Sequence, residues 1–125
     1  METNRQPVDL DQLFQRLGSS GAVVQGLLEA FAQQLPQDAT NIRDALNQSD
    51  TTKIKSIAHA LKGSAAMISA GPINRLAAEL EGTIASSDLQ SINDQVEELT
   101  VEISRFLDWT KGSMRNEIDC RTASD

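Results

Sequence analysis

The sequence predicts an all-α protein, an antiparallel four-helix bundle with a short N-terminal capping helix. Three observations carry that expectation. Apolar residues recur in steps of three and four through most of the chain. Tyrosine is absent and only three phenylalanines and one tryptophan occur, so the apolar content is mainly Leu, Ile and Ala, which favours helix over sheet. The breaks between periodic stretches are short, as turns between antiparallel neighbours are. A chain of 125 residues is long enough for one core and too short for two ordinary domains.

Taken in order, Asp9 reads as the N-cap of a short first helix with Leu10, Leu13, Phe14 and Leu17 facing inward, ended by Gly18-Ser19-Ser20-Gly21. A long second helix runs from Ala22 to about Asn47, with Val24, Leu27, Leu28, Phe31, Leu35, Ile42 and Leu46 at helical spacing. Pro36 interrupts it and predicts a kink rather than a split, because the apolar register continues beyond it. The third helix follows the Ser49-Asp50 turn. Gly71-Pro72 then breaks the chain, and Pro72 suits the first position of a fourth helix that buries Ile73, Leu76, Ala77, Leu80 and Ile84. A fifth helix starts near Ser87-Asp88, with Leu89, Ile92, Val96, Leu99, Ile103 and Phe106 inward and Glu97, Glu98 and Glu102 on its solvated side. The bundle is expected over residues 8–110, with the first helix as a lid over one end. Residues 111–125 show no sustained periodicity and read as a frayed polar tail.

The third helix carries the chemistry. At 100° per residue, Ile54, Ile57, Ala58, Leu61, Ala65 and Ile68 form one core-facing stripe. His59, the only histidine, stands nearly opposite. Its neighbours one turn away are Lys55, Ser56, Lys62 and Gly63, and Ala66 lies a turn further on. A single histidine on a helix surface is most often an ordinary solvated residue, but these neighbours argue otherwise. Glycine in a helix interior is unfavourable by about 1 kcal/mol relative to alanine, yet Gly63 falls mid-pattern with no turn signal beside it. Relief of close helix packing is another use for such a glycine. Its angle of about 170° from the core stripe places it on the exposed side instead. The imidazole therefore stands between ammonium groups on a surface kept low by small side chains. A neutral imidazole nitrogen can attack an electrophile, and nearby lysines favour the negative charge left behind.

The chain is acidic, with a formal net charge of −7, yet residues 51–78 contain Lys53, Lys55, Lys62 and Arg75 and no Asp or Glu. That basic island on an acidic body suits a partner with an acidic pocket. Nucleic-acid binding is disfavoured, because a net acidic domain without aromatic interleaving lacks the electrostatic footprint. Lys53 lies toward the flank and reads as a solvated lysine.

The run Ala58-His59-Ala60-Leu61-Lys62-Gly63-Ser64-Ala65, followed by Ile73, Leu76 and the pair Leu80-Glu81, resembles the signature of histidine-containing phosphotransfer (HPt) domains of two-component phosphorelays. The resemblance extends from about Val8 to Trp109 and is most distinctive from Ala58 to Glu81. It implies the same four-helix architecture, with His59 as the phosphorylated residue through its outer ring nitrogen. It further implies that Lys62 neutralises phosphoryl oxygens and that Gly63 leaves room for the docking partner. Lys55 is a second candidate for steadying the phosphoryl group, while Ser56, Ala66 and Met67 are candidates for the docking rim. Val24 and Leu28 read as core at least as well as docking surface. The implied partners are response-regulator receiver domains and a hybrid sensor histidine kinase, with magnesium supplied by the receiver and no cofactor or metal of the chain's own. One departure is visible: where the family usually reads Gly-Ala, this chain has Ser69-Ala70, then Gly71-Pro72.

Other catalytic readings fare poorly. No G-x-x-x-x-G-K-[ST] loop or kinase-like G-x-G-x-x-G occurs, so autokinase activity is not expected. One histidine and one distant cysteine, Cys120, make neither a zinc site nor a convincing Cys-His pair, and Glu79 and Glu81 point to different helix faces. No signal peptide or membrane-length apolar run is evident, and the lone cysteine fits a reducing compartment, so a cytoplasmic monomer is expected. A helical adaptor that binds receivers or kinases without taking up phosphate is the alternative function.

Overall fold

Six helices make up the computed structural model, which describes residues 6–18 and 20–123: α1 (Leu10–Leu17), α2 (Gly21–Asn47), α3 (Thr51–Met67), α4 (Gly71–Thr83), α5 (Leu89–Gly112) and α6 (Met114–Ala123). Four of their starts are capped by a short polar side chain that accepts a backbone N–H: Asp9 from Gln12, Ser20 from Val23, Asp50 from Lys53 and Asp88 from Ser91. Helix α4 instead begins at Gly71, one residue before the expected Pro72, with Ala70 as an N-cap that supplies no side-chain bond.

Helices α2 to α5 close a ring in chain order, each packing on the next and α5 returning to α2, with the α3–α4 interface the most extensive. This is the expected four-helix bundle. Its core is filled by the predicted stripes: Val24, Leu28, Leu35 and Ile42 from α2, Ile54, Ala58, Leu61 and Ala65 from α3, Ile73, Ala77 and Leu80 from α4, and Ile92, Val96, Leu99, Ile103 and Phe106 from α5. Phe31 and Phe106 meet edge to face, with ring centroids 5.2 Å apart and planes at 82°. Helix α2 runs unbroken through Pro36, so the proline does not split it.

The ends of α2 and α3 share one device. Ser49 and Ser69 have positive φ angles of 55° and 58°, and each sits just past its helix where a left-handed residue reverses the chain. Asp50 N–H donates to Ala45 and Ser49 N–H to Leu46, while Ala70 N–H donates to Ala65 and Ser69 N–H to Ala66. This bonding pattern satisfies the last carbonyls of both helices and usually employs glycine. At the second of these turns Ser69 is held from α1. Its hydroxyl donates to Gln12 Oε1 at 2.7 Å and accepts from Arg16 Nη1 at 3.3 Å. Arg16 also reaches the Ala66 carbonyl at 3.0 Å, and Asp9 N–H donates to the Ser69 carbonyl. Helix α1 thus lies against α2 and over the α3–α4 turn, the lid position expected for it.

Several expectations need correction. Residues 114–123 are helical rather than frayed: Met114 and Ile118 are buried, α6 packs on α2 and α5, and Trp109 Nε1 donates to Glu117 at 3.0 Å. Arg121 pairs with Asp11 and lies over the Phe14 ring, tying α6 to α1. Leu17, Leu27 and Leu89 are exposed rather than inward-facing. Glu102 is buried instead of solvated, its carboxylate 2.6 Å from Arg105. Ser19, within the expected break after α1, lies outside the described residues.

Candidate functional site

Two elements build the site. Helix α3 turns its core stripe inward and leaves His59 on the outer face, with 68% of its side chain exposed. Helix α4 runs alongside and brings Glu81 up to it. One Glu81 oxygen, Oε2, lies 2.6 Å from His59 Nδ1, and the other, Oε1, lies 2.7 Å from Lys62 Nζ. The carboxylate bridges ring and amine, and is itself largely covered, with 18% of the side chain exposed.

This bridge sets the electronic state of the imidazole. The Lys62 ammonium and then the His59 ring hold the Glu81 carboxyl below its ordinary value, so it is ionised at neutral pH and can only accept. Nδ1 therefore carries the proton and donates it to Glu81. In the neutral ring that leaves the lone pair on Nε2, which has no hydrogen-bond partner among the described residues. The nucleophilic atom is thus the one on the outer edge of the ring. Attack through Nε2 would put positive charge on the ring, next to a carboxylate already in contact with it.

The other expected residues fall as follows. Lys62 stands at the site through Glu81 rather than as a lone cation. Lys55 and Ser56 are exposed on α3, and among the described residues neither side chain makes a hydrogen bond or ion pair with His59, Lys62 or Glu81. A Cβ added at Gly63 would meet nothing within 4 Å, so the protein's own packing does not require the glycine. Ala66 is exposed, and Met67 is exposed by 69%. Val24 and Leu28 are fully buried, in keeping with their reading as core, while their neighbours Val23 and Leu27 are exposed by 50% and 41%.

Glu81, part of the Leu80-Glu81 pair in the sequence signature, is the site residue to which the sequence alone assigns no role. Its signal was present in two places. It directly follows the buried Leu80 and lies four residues after the buried Ala77, at the margin of the apolar stripe of α4. The segment 51–78 also holds four cations and no acid of its own, and its charges find partners on α4 further along: Arg75 on Glu79 at 3.6 Å and Lys62 on Glu81.

The Hpt domain family matches residues 26–109, and the chain belongs to that family. HPt domains are phosphocarriers of two-component phosphorelays rather than enzymes in the ordinary sense. Among solved structures, the chain is similar to the HPT domain of the Hpt sensor hybrid histidine kinase from Shewanella, with a TM-score of 0.78 and 18% identity over 90% of this chain and 97% of that one. At that identity the likeness speaks for the fold. No curated protein matches the sequence. Among the described residues, no helix is long and apolar enough to cross a membrane.

Proposed function

We propose that this protein carries a phosphoryl group on His59, taking it from a receiver-domain aspartyl phosphate or a kinase and passing it to a response-regulator receiver. The observation that carries this reading is the Glu81 bridge, which directs the proton to Nδ1 and leaves Nε2 as the exposed nucleophile.

The step balances as follows. The Nε2 lone pair forms a bond to phosphorus, the bond from phosphorus to the aspartyl oxygen breaks, and its electron pair leaves with the receiver carboxylate. No proton need move: Nδ1 keeps its hydrogen, and the ring becomes a cation beside Glu81. Phosphoryl transfer asks mainly for positioning and charge stabilisation, and in this scheme the Lys62 amine, which shares the Glu81 carboxylate with the ring, meets the phosphoryl oxygens. Magnesium belongs to the receiver in this scheme. Gly63 offers the open surface on which the partner docks, with Ser56, Ala66 and Met67 around it. Lys55 serves the approaching acidic partner or the phosphoryl group. A receiver attached to a hybrid sensor histidine kinase is a fitting donor, and the location expected for such a relay is cytoplasmic.

The test is transfer from a receiver domain loaded with acetyl phosphate and magnesium, followed by intact mass at neutral pH. Wild type should gain one acid-labile phosphoryl group and His59→Gln none, with the fold unchanged because the side chain faces solvent. A panel of receivers that left wild type unmodified would discard the carrier reading in favour of the helical adaptor.

A further inference from the structure

We propose that Asn74 is a positioning residue for phosphoryl transfer, holding the peptide between Lys62 and Gly63 so that the Lys62 amine stays beside His59. This rests on the phosphocarrier reading and extends it to a residue that touches neither phosphorus nor the imidazole.

The contact is specific. Asn74 Nδ2, on α4, donates to the Lys62 carbonyl oxygen on α3 at 3.0 Å, in a part-buried setting. That carbonyl belongs to the peptide whose nitrogen is Gly63. Glycine is the weakest point of a helix interior, since its backbone has the most freedom to lose. Here nothing packs over it, because even an added Cβ would meet open space within 4 Å. The turn that must stay uncovered for a partner is therefore unbraced on its outer side, and Asn74 braces it from the α4 side.

Asn74 and Glu81 are seven residues apart, which places them on one face of α4, with the half-buried Ala78 continuing the same stripe. One grips Lys62 by its carbonyl, the other by its amine at 2.7 Å. Lysine has a flexible four-carbon stem and much rotamer freedom. Fixing its two ends turns a mobile charge into a placed one before the phosphoryl group arrives.

The experiment uses the whole chain with phosphoramidate as the donor, which removes receiver docking from the measurement. The Nε2 lone pair forms the bond to phosphorus as the phosphorus–nitrogen bond of the N-protonated (zwitterionic) donor breaks, and the nitrogen leaves with that electron pair as ammonia. Asn74→Ala should slow uptake about tenfold, by analogy with the lower end of the loss seen when the hydrogen-bond partner behind a metal ligand is removed, and should speed amide exchange at Gly63. In a Lys62→Ala background the same change should slow uptake no further, because the residue it positions is gone. Asn74→Asp, which keeps the shape but offers an acceptor toward a carbonyl, should match Asn74→Ala and reports the result should the alanine variant not fold.

Uptake at the wild-type rate in the Asn74 variants overturns the inference, and so does a tenfold loss that persists in the Lys62→Ala background, since that would mean a general effect on the fold. Either result leaves the carrier reading standing. If wild type shows no His59-dependent uptake from phosphoramidate or receivers, the carrier reading falls and this inference with it.

Discussion

A carboxylate in contact with both His59 and Lys62 gives one residue two duties. Glu81 directs the proton of the ring and keeps the amine nearby, and the pair in turn holds its carboxyl below the ordinary range, Lys62 contributing most and His59 next. The consequence for stability has a definite sign. A carboxyl whose folded value is depressed stabilises the fold above its unfolded value, and that stabilisation disappears as pH falls through the lowered folded value. Glu81→Gln removes this titration while keeping an oxygen able to accept from Nδ1. The thermal midpoint of the variant should therefore fall less than that of wild type between about pH 5 and pH 3. Parallel curves across that range would mean that the bridge contributes nothing to the folded state. Asp88, lowered by the backbone N–H and hydroxyl of Ser91, stays in both proteins and supplies the same acid-side loss to each.

At the level of elements, the helices with a wide apolar stripe were legible in the sequence, and α6 was not. Helix α3 declares itself by Ile54, Ala58, Leu61 and Ala65, all buried. Among the described side chains helix α6 buries only Met114 and Ile118, one turn apart, in a mostly polar decapeptide. Two apolar residues make no sustained period, so its helicity comes from tertiary contact, which sequence periodicity does not report. The same limit explains Leu27 and Leu89, apolar and correctly spaced yet outside the area their neighbours cover, and Glu102, which is buried and paired with Arg105. The candidate site divides the same way: His59, Lys62 and Gly63 share one turn of one helix and could be read together. Glu81 and Asn74 come from the next helix, and only the packing of α4 on α3 brings them in. If α6 is held by its two buried side chains, Ile118→Ala should lower stability by about 2–4 kcal/mol in denaturant unfolding, with phosphoramidate uptake by His59 unchanged. A loss within a few tenths of a kcal/mol would mean that α6 is not part of the cooperative core.

For the whole molecule, the proposed function raises the issue of how a chain of net charge −7 would receive an acidic partner. The basic island of residues 51–78 is smaller in the folded protein than along the sequence. Arg75 is paired with Glu79 and Lys62 with Glu81, whereas Lys53 and Lys55 are exposed with no ion-pair partner among the described residues. On the proposed function, those two ammonium groups, one turn or more before His59, would offset the acidic body as a receiver approached. Charges that act at a distance change the encounter rate and are screened by salt, with a Debye length of about 10 Å at 0.1 M and about 3 Å at 1 M. A charge that touches the phosphoryl group keeps its effect. Lys55→Ala separates the two roles. If Lys55 steers, the second-order rate of transfer from a phosphorylated receiver should fall several-fold at low salt and merge with wild type toward 1 M, with the saturated rate unaltered. A deficit in the saturated rate that survives high salt would instead put the Lys55 amine on the phosphoryl oxygens, beside that of Lys62.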